Sequence, residues 1–308
     1  MKSLDVDYRM NLEFSADVAD HYFMLRCVPL SRGCQTVLSR SLEISPAVPL
    51  LANRDVFGNI VYRGHCFAGH NAFSFHADAT VQVHSEEGTR EPCPPFYKYP
   101  TALTACTEQM AEFLYGVFSS SELRNAVQGR RVPSECIHDF ARALLPAVHE
   151  RIAYTSGATT VRTTAAEAFA GQKGVCQDYA QLFIALCRRA GIAARYVCGM
   201  SKGEGATHAW AEFFVPDETF VAANGQAAFG KWYGIDPTRN KRADDDYVIL
   251  AVGRDFSDCQ VDRGVFCGAV SQTQSVFVRT TELVPPASTG MFSGHSVSGG
   301  ADLAGQQQ

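Results

Sequence analysis

The chain has 308 residues, of which 46% are hydrophobic and 19% charged, with a net charge of −5. That composition suits a globular protein of about two domains with a sizeable core. No lysine/arginine run marks a nucleic-acid surface, and no stretch approaches the roughly 18 consecutive apolar residues of a membrane span. The start, MKSLDVDYRMNLEF, lacks the basic-then-apolar order of a secretory signal, so the expected compartment is the cytoplasm. Eleven cysteines are present and no pair has C-x-x-C spacing. That excludes zinc-ribbon and thioredoxin-like readings and makes most of them small buried hydrophobes in expectation.

Residues 1–95 read as all-β. HYFMLRCVPL ends in Pro29. Asp55-Val56-Phe57-Gly58-Asn59 carries a turn signal before the strand-like IVYRG, and NAFSFHADATVQVH alternates as a half-buried strand does. A small antiparallel sandwich is expected there, ending at the proline-rich EPCPPFYKYP. Residues 96–285 form a second unit in which helices precede strands, an α+β order. The pattern predicts a helix over 101–117 and another from Ser134 to Ile152, with Pro146 kinking or shortening it. Thr163 or Thr164 caps a short third. Residues 286–308, rich in Ser, Gly, Ala and Gln, read as a disordered tail.

GVCQDYAQLFIALCRRAGIAAR, 174–195, is a helix with two adjoining apolar stripes: Tyr179, Phe183 and Leu186; Ala180, Ile184 and Cys187. Arg188 and Arg189 suit the negative pole of its dipole, and Gly191 its C′ position. The stripes explain burial but not Cys176 in the first turn. Unpaired N–H groups and the dipole there favour a thiolate, the nucleophilic form, and the Cys176 N–H can face a developing oxyanion. A buried cysteine of no chemical consequence is the competing reading.

A base decides between them. Strand HAWAEFFV puts His208, Trp210, Glu212 and Phe214 on one face, and WYGID puts Trp232, Gly234 and Asp236 on one face. If the two strands are antiparallel neighbours, His208 and Asp236 share one end of the sheet, where opposed Cβ atoms lie about 4.5–5.5 Å apart. Cys176 is then the nucleophile, His208 the base, and Asp236 the group that orients the imidazole.

GVCQDYA, GIAARYVCGM, THAWAEFF and WYGIDPTRN, in this order, resemble the core of the transglutaminase-like superfamily. The segment around RDVFGN is similar to the β-rich N-terminal domain of bacterial members, and AVGRDFSD to a segment they carry after the aspartate. The resemblance implies a papain-like α+β core behind a β-sandwich-like domain, with Cys176, His208 and Asp236 as the catalytic residues. It implies thioester chemistry on a peptide or protein amide. Hydrolysis, as in the transglutaminase-like cysteine peptidases, is favoured over acyl transfer to a lysine amine. A non-catalytic binding module keeping the fold remains a third reading.

The 28 residues from His208 to Asp236 exceed the family's expected spacing, the excess being PDETFVAANGQAAFG, read as a loop at the site edge. Tyr154 and Gln172 are candidate oxyanion donors, Trp210 and Trp232 candidate walls, and Asp178 a complement to the helix dipole. No cofactor or metal is expected. His138 and His149 lie roughly 16 Å apart on one helix, His65, His70 and His76 read as structural, and Asp244, Asp245 and Asp246 as a solvated turn.

Overall fold

The computed structural model describes residues 1–84, 88–217 and 229–283. The predicted tail and most of Pro216–Gly230 lie outside them.

Strand β1 (Lys2–Leu25) is the spine of the first sheet, followed by β2 (Gln35–Ser45), β3 (Leu51–Arg54), β4 (Ile60–Cys66) and β5 (His70–Val83), all antiparallel. The alternation in β5 buries Phe73, Phe75, Ala77, Ala79, Val81 and Val83. Their cross-strand partners on β1 include Leu4, Val6, Tyr8, Met10 and Leu12, so period 2 on both strands builds one apolar face. The expected turn is present: Asp55 Oδ1 accepts the N–H groups of Phe57 and Asn59, and Gly58 takes φ +80°.

A short β6 (Thr89–Pro92) leads into α1 (Glu108–Val117), α2 (Ser121–Gln128), α3 (Ile137–Arg151), β7 (Ala153–Tyr154), α4 (Ala165–Gly171) and β8 (Lys173–Gly174). Helix α1 starts later than predicted, at the Thr107 cap, whose Oγ1 accepts from Met110 N. Helix α2 was not anticipated. Pro146 does not end α3. The carbonyl deprived of its donor belongs to Arg142, which is exposed, while buried Phe140, Leu144 and Val148 hold the helix to the core. Thr164 caps α4 in a reciprocal box with Glu167.

The second sheet has the order β13 (Lys241–Arg242), β12 (Phe229–Asp236), β11 (His208–Pro216), β9 (Ala194–Ser201), β14 (Tyr247–Gly253), with β6 added to β12. Helix α5 (Cys176–Arg189) lies on it. Ala180, Ile184 and Cys187 share one core with Ala209, Ala211 and Phe213 of β11. Small residues on the strand let the helix approach closely. Trp210 packs on the opposite face with Val197, Ile249 and Val252, so β11 splits its faces as its alternation predicts. Gly191 ends α5 at φ +85°, where a Cβ would meet Arg130 O at 2.4 Å. Arg188 is not a solvated partner of the dipole. It is buried and donates to Tyr97 O, Thr104 Oγ1, Ala194 O and Arg254 O.

The chain does not divide linearly at residue 95. After the short β10 (Gly203–Gly205), which pairs with β16, and after β14, strands β15 (Asp262–Cys267) and β16 (Gln272–Glu282) return to the first sheet, both against β1. A 24-residue strand presents donors and acceptors along both edges, and β5 and β4 cover only one side of each half. Strands β15 and β16, from the far side of the expected boundary, supply the rest. No helix among the described residues is long and apolar enough to cross a membrane.

Candidate active site

Cys176 is the first residue of α5, half-buried, behind extended Val175. The helix start is held by Asp178. Its Oδ2 accepts Val175 N at 2.8 Å and Thr159 Oγ1 at 2.6 Å, tying the 155–163 segment to the turn that carries the thiol. Gly174 makes room for this: a Cβ there would lie 2.7 Å from Asp178 Cβ and Oδ2. Burial pushes the Asp178 carboxyl above the ordinary carboxylate range, and the two donors pull it back in part. Its role thus goes beyond complementing the dipole, since it fixes backbone on both sides of the cysteine.

His208 opens β11 and Asp236 ends β12. The β11–β12 register pairs Ala211 with Ile235 and Glu212 with Gly234. Continued, it puts Asp236 opposite Trp210, so His208 is a diagonal rather than a direct neighbour, and the contact is made through side-chain length. His208 Nε2 lies 2.7 Å from Asp236 Oδ2. The other ring nitrogen, Nδ1, remains for Cys176, whose thiol also acts to raise the imidazole pKa. Asp236 is fully buried and fully engaged. Tyr247 OH donates to Oδ2 at 2.7 Å, and the N–H groups of Thr238 and Arg239 donate to Oδ1 at 3.0 and 3.2 Å.

Burial alone would lower the imidazole pKa. The hydrogen bonds and charges of Asp236 and Cys176 outweigh it and raise His208 to about 9. Burial opposes ionisation of Asp236, yet His208, Tyr247 and the Arg239 N–H hold its carboxyl below the ordinary range. The pair therefore favours imidazolium beside carboxylate, with the thiol on the imidazolium's far side. Burial pushes the Cys34 and Cys106 thiols up to about 11 and those of Cys93 and Cys198 to about 12. Five of the eleven cysteines are buried and Cys267 is exposed, so fewer are core residues than composition suggested.

The remaining candidates separate. Tyr154, pairing in β7 with Gly174 of β8, is exposed and close enough to Cys176 for the thiolate's charge to raise its hydroxyl, after desolvation. Gln172 is the exposed, left-handed C-cap of α4, engaged through its backbone. Trp210 backs His208, their rings 6.3 Å apart and 27° from parallel. Trp232 is no wall of this site. It lies four residues back along β12 under Arg195 and beside Tyr97, because its strand position faces the β6 side of the core. His149 Nδ1 bonds Pro237 O, and His138 packs on Tyr233. Tyr247 and Thr159 escaped sequence reading, since neither has a spacing that links it to Asp236 or Asp178.

Among the described residues one group has metal-ligand geometry, Asp7, His76 and Asp78, with ligand atoms within 4.8 Å of one another. It lies on the first sheet, and Arg9 already donates twice into Asp7.

Two family descriptions match the chain: Bacterial transglutaminase-like N-terminal region over residues 4–82 and Transglutaminase-like superfamily over residues 124–225. The chain thus carries a transglutaminase-like core behind a bacterial transglutaminase-like N-terminal region. An uncharacterized protein of Mycobacterium tuberculosis is 28% identical over 304 residues, covering 91% of this chain and 92% of its own. One of Mycobacterium leprae is 26% identical, covering 84% and 91%. In fold, the chain is similar to a crystal structure of a candidate cysteine protease from Cytophaga hutchinsonii, with TM-score 0.69, 20% identity and 92% of each chain covered.

Proposed function

We propose that the chain is a thiol-dependent hydrolase of amide bonds, a cysteine peptidase or amidase acting on a peptide or protein. The observation that carries this is His208 placed between the Cys176 thiol and the buried, fourfold-bonded Asp236. Cys176 Sγ, its proton held by His208, adds to the amide carbon. His208 then protonates the leaving nitrogen as the C–N bond breaks, leaving a thioester and the free amine. Water, deprotonated by the now neutral His208, attacks the thioester and releases the acid and the thiol. The Cys176 N–H at the helix start and the Tyr154 hydroxyl are the groups assigned here to receive the oxyanion. Gln172, exposed at its helix end, has no such placement. Eleven unpaired thiols suit a reducing compartment, which supports the cytoplasm.

The test is acyl-enzyme partition. A quenched peptide library and a glutamine-containing protein are incubated with wild type and Cys176→Ser, with and without a fluorescent primary amine. Peptide cleavage insensitive to the amine and lost in Cys176→Ser is the expected result. Ammonia release with amine incorporation would reassign the chain to acyl transfer, and turnover by Cys176→Ser would sink the thiol mechanism.

A further inference from the structure

Away from the thiol, a cavity of about 600 Å³ opens between the first sheet and the segment bearing Arg162. Part of its wall is apolar, from Met10, Leu12, Phe23 and Phe73. Into that wall is set His21, only 2% exposed, its ring 5.1 Å from Phe73 and 5.7 Å from Phe23. The hydrogen bonds assign its tautomer. His70 Nδ1 lies 3.1 Å from Ala68 O, an acceptor, so that nitrogen carries hydrogen. In a neutral ring His70 Nε2 is then an acceptor, and His21 Nδ1, 3.1 Å away, donates to it. His21 Nε2 is left as a bare lone pair. Burial pushes His21 down to about 4, so the ring stays neutral at ordinary pH.

Nε2 has no protein donor among the described residues, and the space beside it is kept open by Gly264 of β15. A Cβ at that position would lie 2.6 Å from Nε2. Arg162 and Arg263 line the same cavity, and among the described residues neither makes an ion pair. One carboxyl is present, Asp262; burial opposes its ionisation and it accepts from Gln274. The cavity therefore offers an acceptor deep in an apolar wall and a net excess of positive charge.

We propose that this cavity is a small-molecule site. Its ligand presents an O–H or N–H donor to His21 Nε2, an apolar ring to the phenyl groups and a carboxylate or similar anion to Arg162 and Arg263. The site is independent of the thiol chemistry. A buried acceptor discriminates strongly against an analogue that lacks the donor, because that analogue leaves the acceptor unpaired.

The experiment uses the full chain and three probes of increasing length: 4-hydroxybenzoate, 4-hydroxyphenylacetate and 3-(4-hydroxyphenyl)propionate. Each is paired with its methyl ether, which removes the donor, and tyramine serves as the analogue with the charge reversed. Binding is followed by calorimetry and by the imidazole nitrogen resonances of histidine-labelled protein. At least one phenol should bind saturably to a single site, about tenfold or more tighter than its ether, and move the His21 resonance while leaving that of His76 in place. Tyramine should bind more weakly. His21→Phe should erase the phenol-over-ether preference, and Gly264→Ala should block binding. The proposal is overturned if no phenol saturates below about 10 mM, if phenol and ether bind alike, or if the preference survives His21→Phe. The wild-type comparison of phenol with ether decides the matter even if a variant fails to fold.

Discussion

Asp236→Asn isolates the orienting group with almost no change in shape. In the wild type, Oδ1 receives two backbone N–H groups, from Thr238 and Arg239, while Oδ2 receives His208 Nε2 and Tyr247 OH. An amide keeps one oxygen. Two fixed N–H donors require it at the Oδ1 position, so the NH₂ takes the Oδ2 position and points hydrogen at His208 Nε2. That nitrogen must then be the acceptor. The only neutral tautomer that fits carries its hydrogen on Nδ1, facing the sulfur, and cannot take the thiol proton. An imidazolium would set N–H against N–H. Tyr247 can turn its hydroxyl and accept from the new NH₂, which stabilises the wrong arrangement further. The rise of His208 from 6.5 to about 9 corresponds to about 3 kcal/mol in favour of the imidazolium, shared between Asp236 and the thiol. Losing the Asp236 share and the competent tautomer should reduce kcat by about 10³–10⁴, or about 4–5 kcal/mol in barrier. The assay is peptide cleavage beside the rate of iodoacetamide alkylation of Cys176 at about pH 6, where an unassisted thiol is almost wholly protonated. Both should fall, with the melting temperature nearly unchanged. If Asp236→Asn cleaves and alkylates within tenfold of wild type, the buried carboxylate is not orienting the base and the tautomer argument is wrong.

The same pair sets a pH dependence of stability. The folded His208 value lies above the ordinary 6.5, so its contribution is complete below about pH 6.5 and fades as pH rises through about 9. The gap in urea midpoint between wild type and His208→Gln should narrow between about pH 6 and pH 10, and a widening gap would contradict the assignment. Gly174→Ala should cost about 1–3 kcal/mol, because its Cβ drives Asp178 off Val175 N. Cys176 alkylation should slow with it, whereas a purely global destabilisation would leave the folded-state rate unchanged. Arg188→Met leaves three carbonyls and the Thr104 hydroxyl without their buried donor. It should lower stability by about 3 kcal/mol or more by denaturant titration, against near-neutrality if Arg188 only complemented the helix dipole.

The meeting of His208 with Asp236 was more legible in the sequence than the architecture around it. Cys176, His208 and Asp236 could be read because each depends on a local pattern: a thiol at a helix start, or period 2 along a strand. Those patterns survive folding, and the β11–β12 neighbourhood needed only one assumption. What escaped depends on contacts between distant segments. Trp232 alternates correctly with Asp236 on β12, but alternation does not say which neighbour a face meets, and β6 arriving from residues 89–92 puts it in another cluster. Tyr247 reads only as the start of an apolar strand. Its hydroxyl matters because β14 lies where it can reach Asp236. Pro146 predicts a kink or an early end, and tertiary burial of α3 carries the helix on past it to Arg151. The closure of the first sheet by β15 and β16 was invisible because partner choice is not encoded in strand character.

The N-terminal region also takes part in holding the site. Strand β14 has β9 on one side, and its other edge would be bare. Two fully buried amides cover that edge. Gln35 donates to Ile249 O and accepts Ile249 N, both at 2.8 Å; Asn59 does the same for Val252 O and N, also at 2.8 Å. Each mimics the paired bonds of a strand neighbour. In an unbroken strand, residues facing one edge are two apart, yet these are three apart. The reason is the irregularity at Leu250, where the β9 register passes from Ile249–Gly199 to Ala251–Cys198, shifting the outward position to Val252. On the same strand Val248 and Leu250 enter the core of the first sheet, together with Met200 of β9. The strand carrying Tyr247, and through it Asp236, is therefore fixed by the N-terminal region along its edge and on one face. Loosening that region removes bonds from β14 before it removes anything from α5. The N-terminal region and the strands that carry Tyr247 and Asp236 are thus one mechanical unit at the point where the imidazole is oriented.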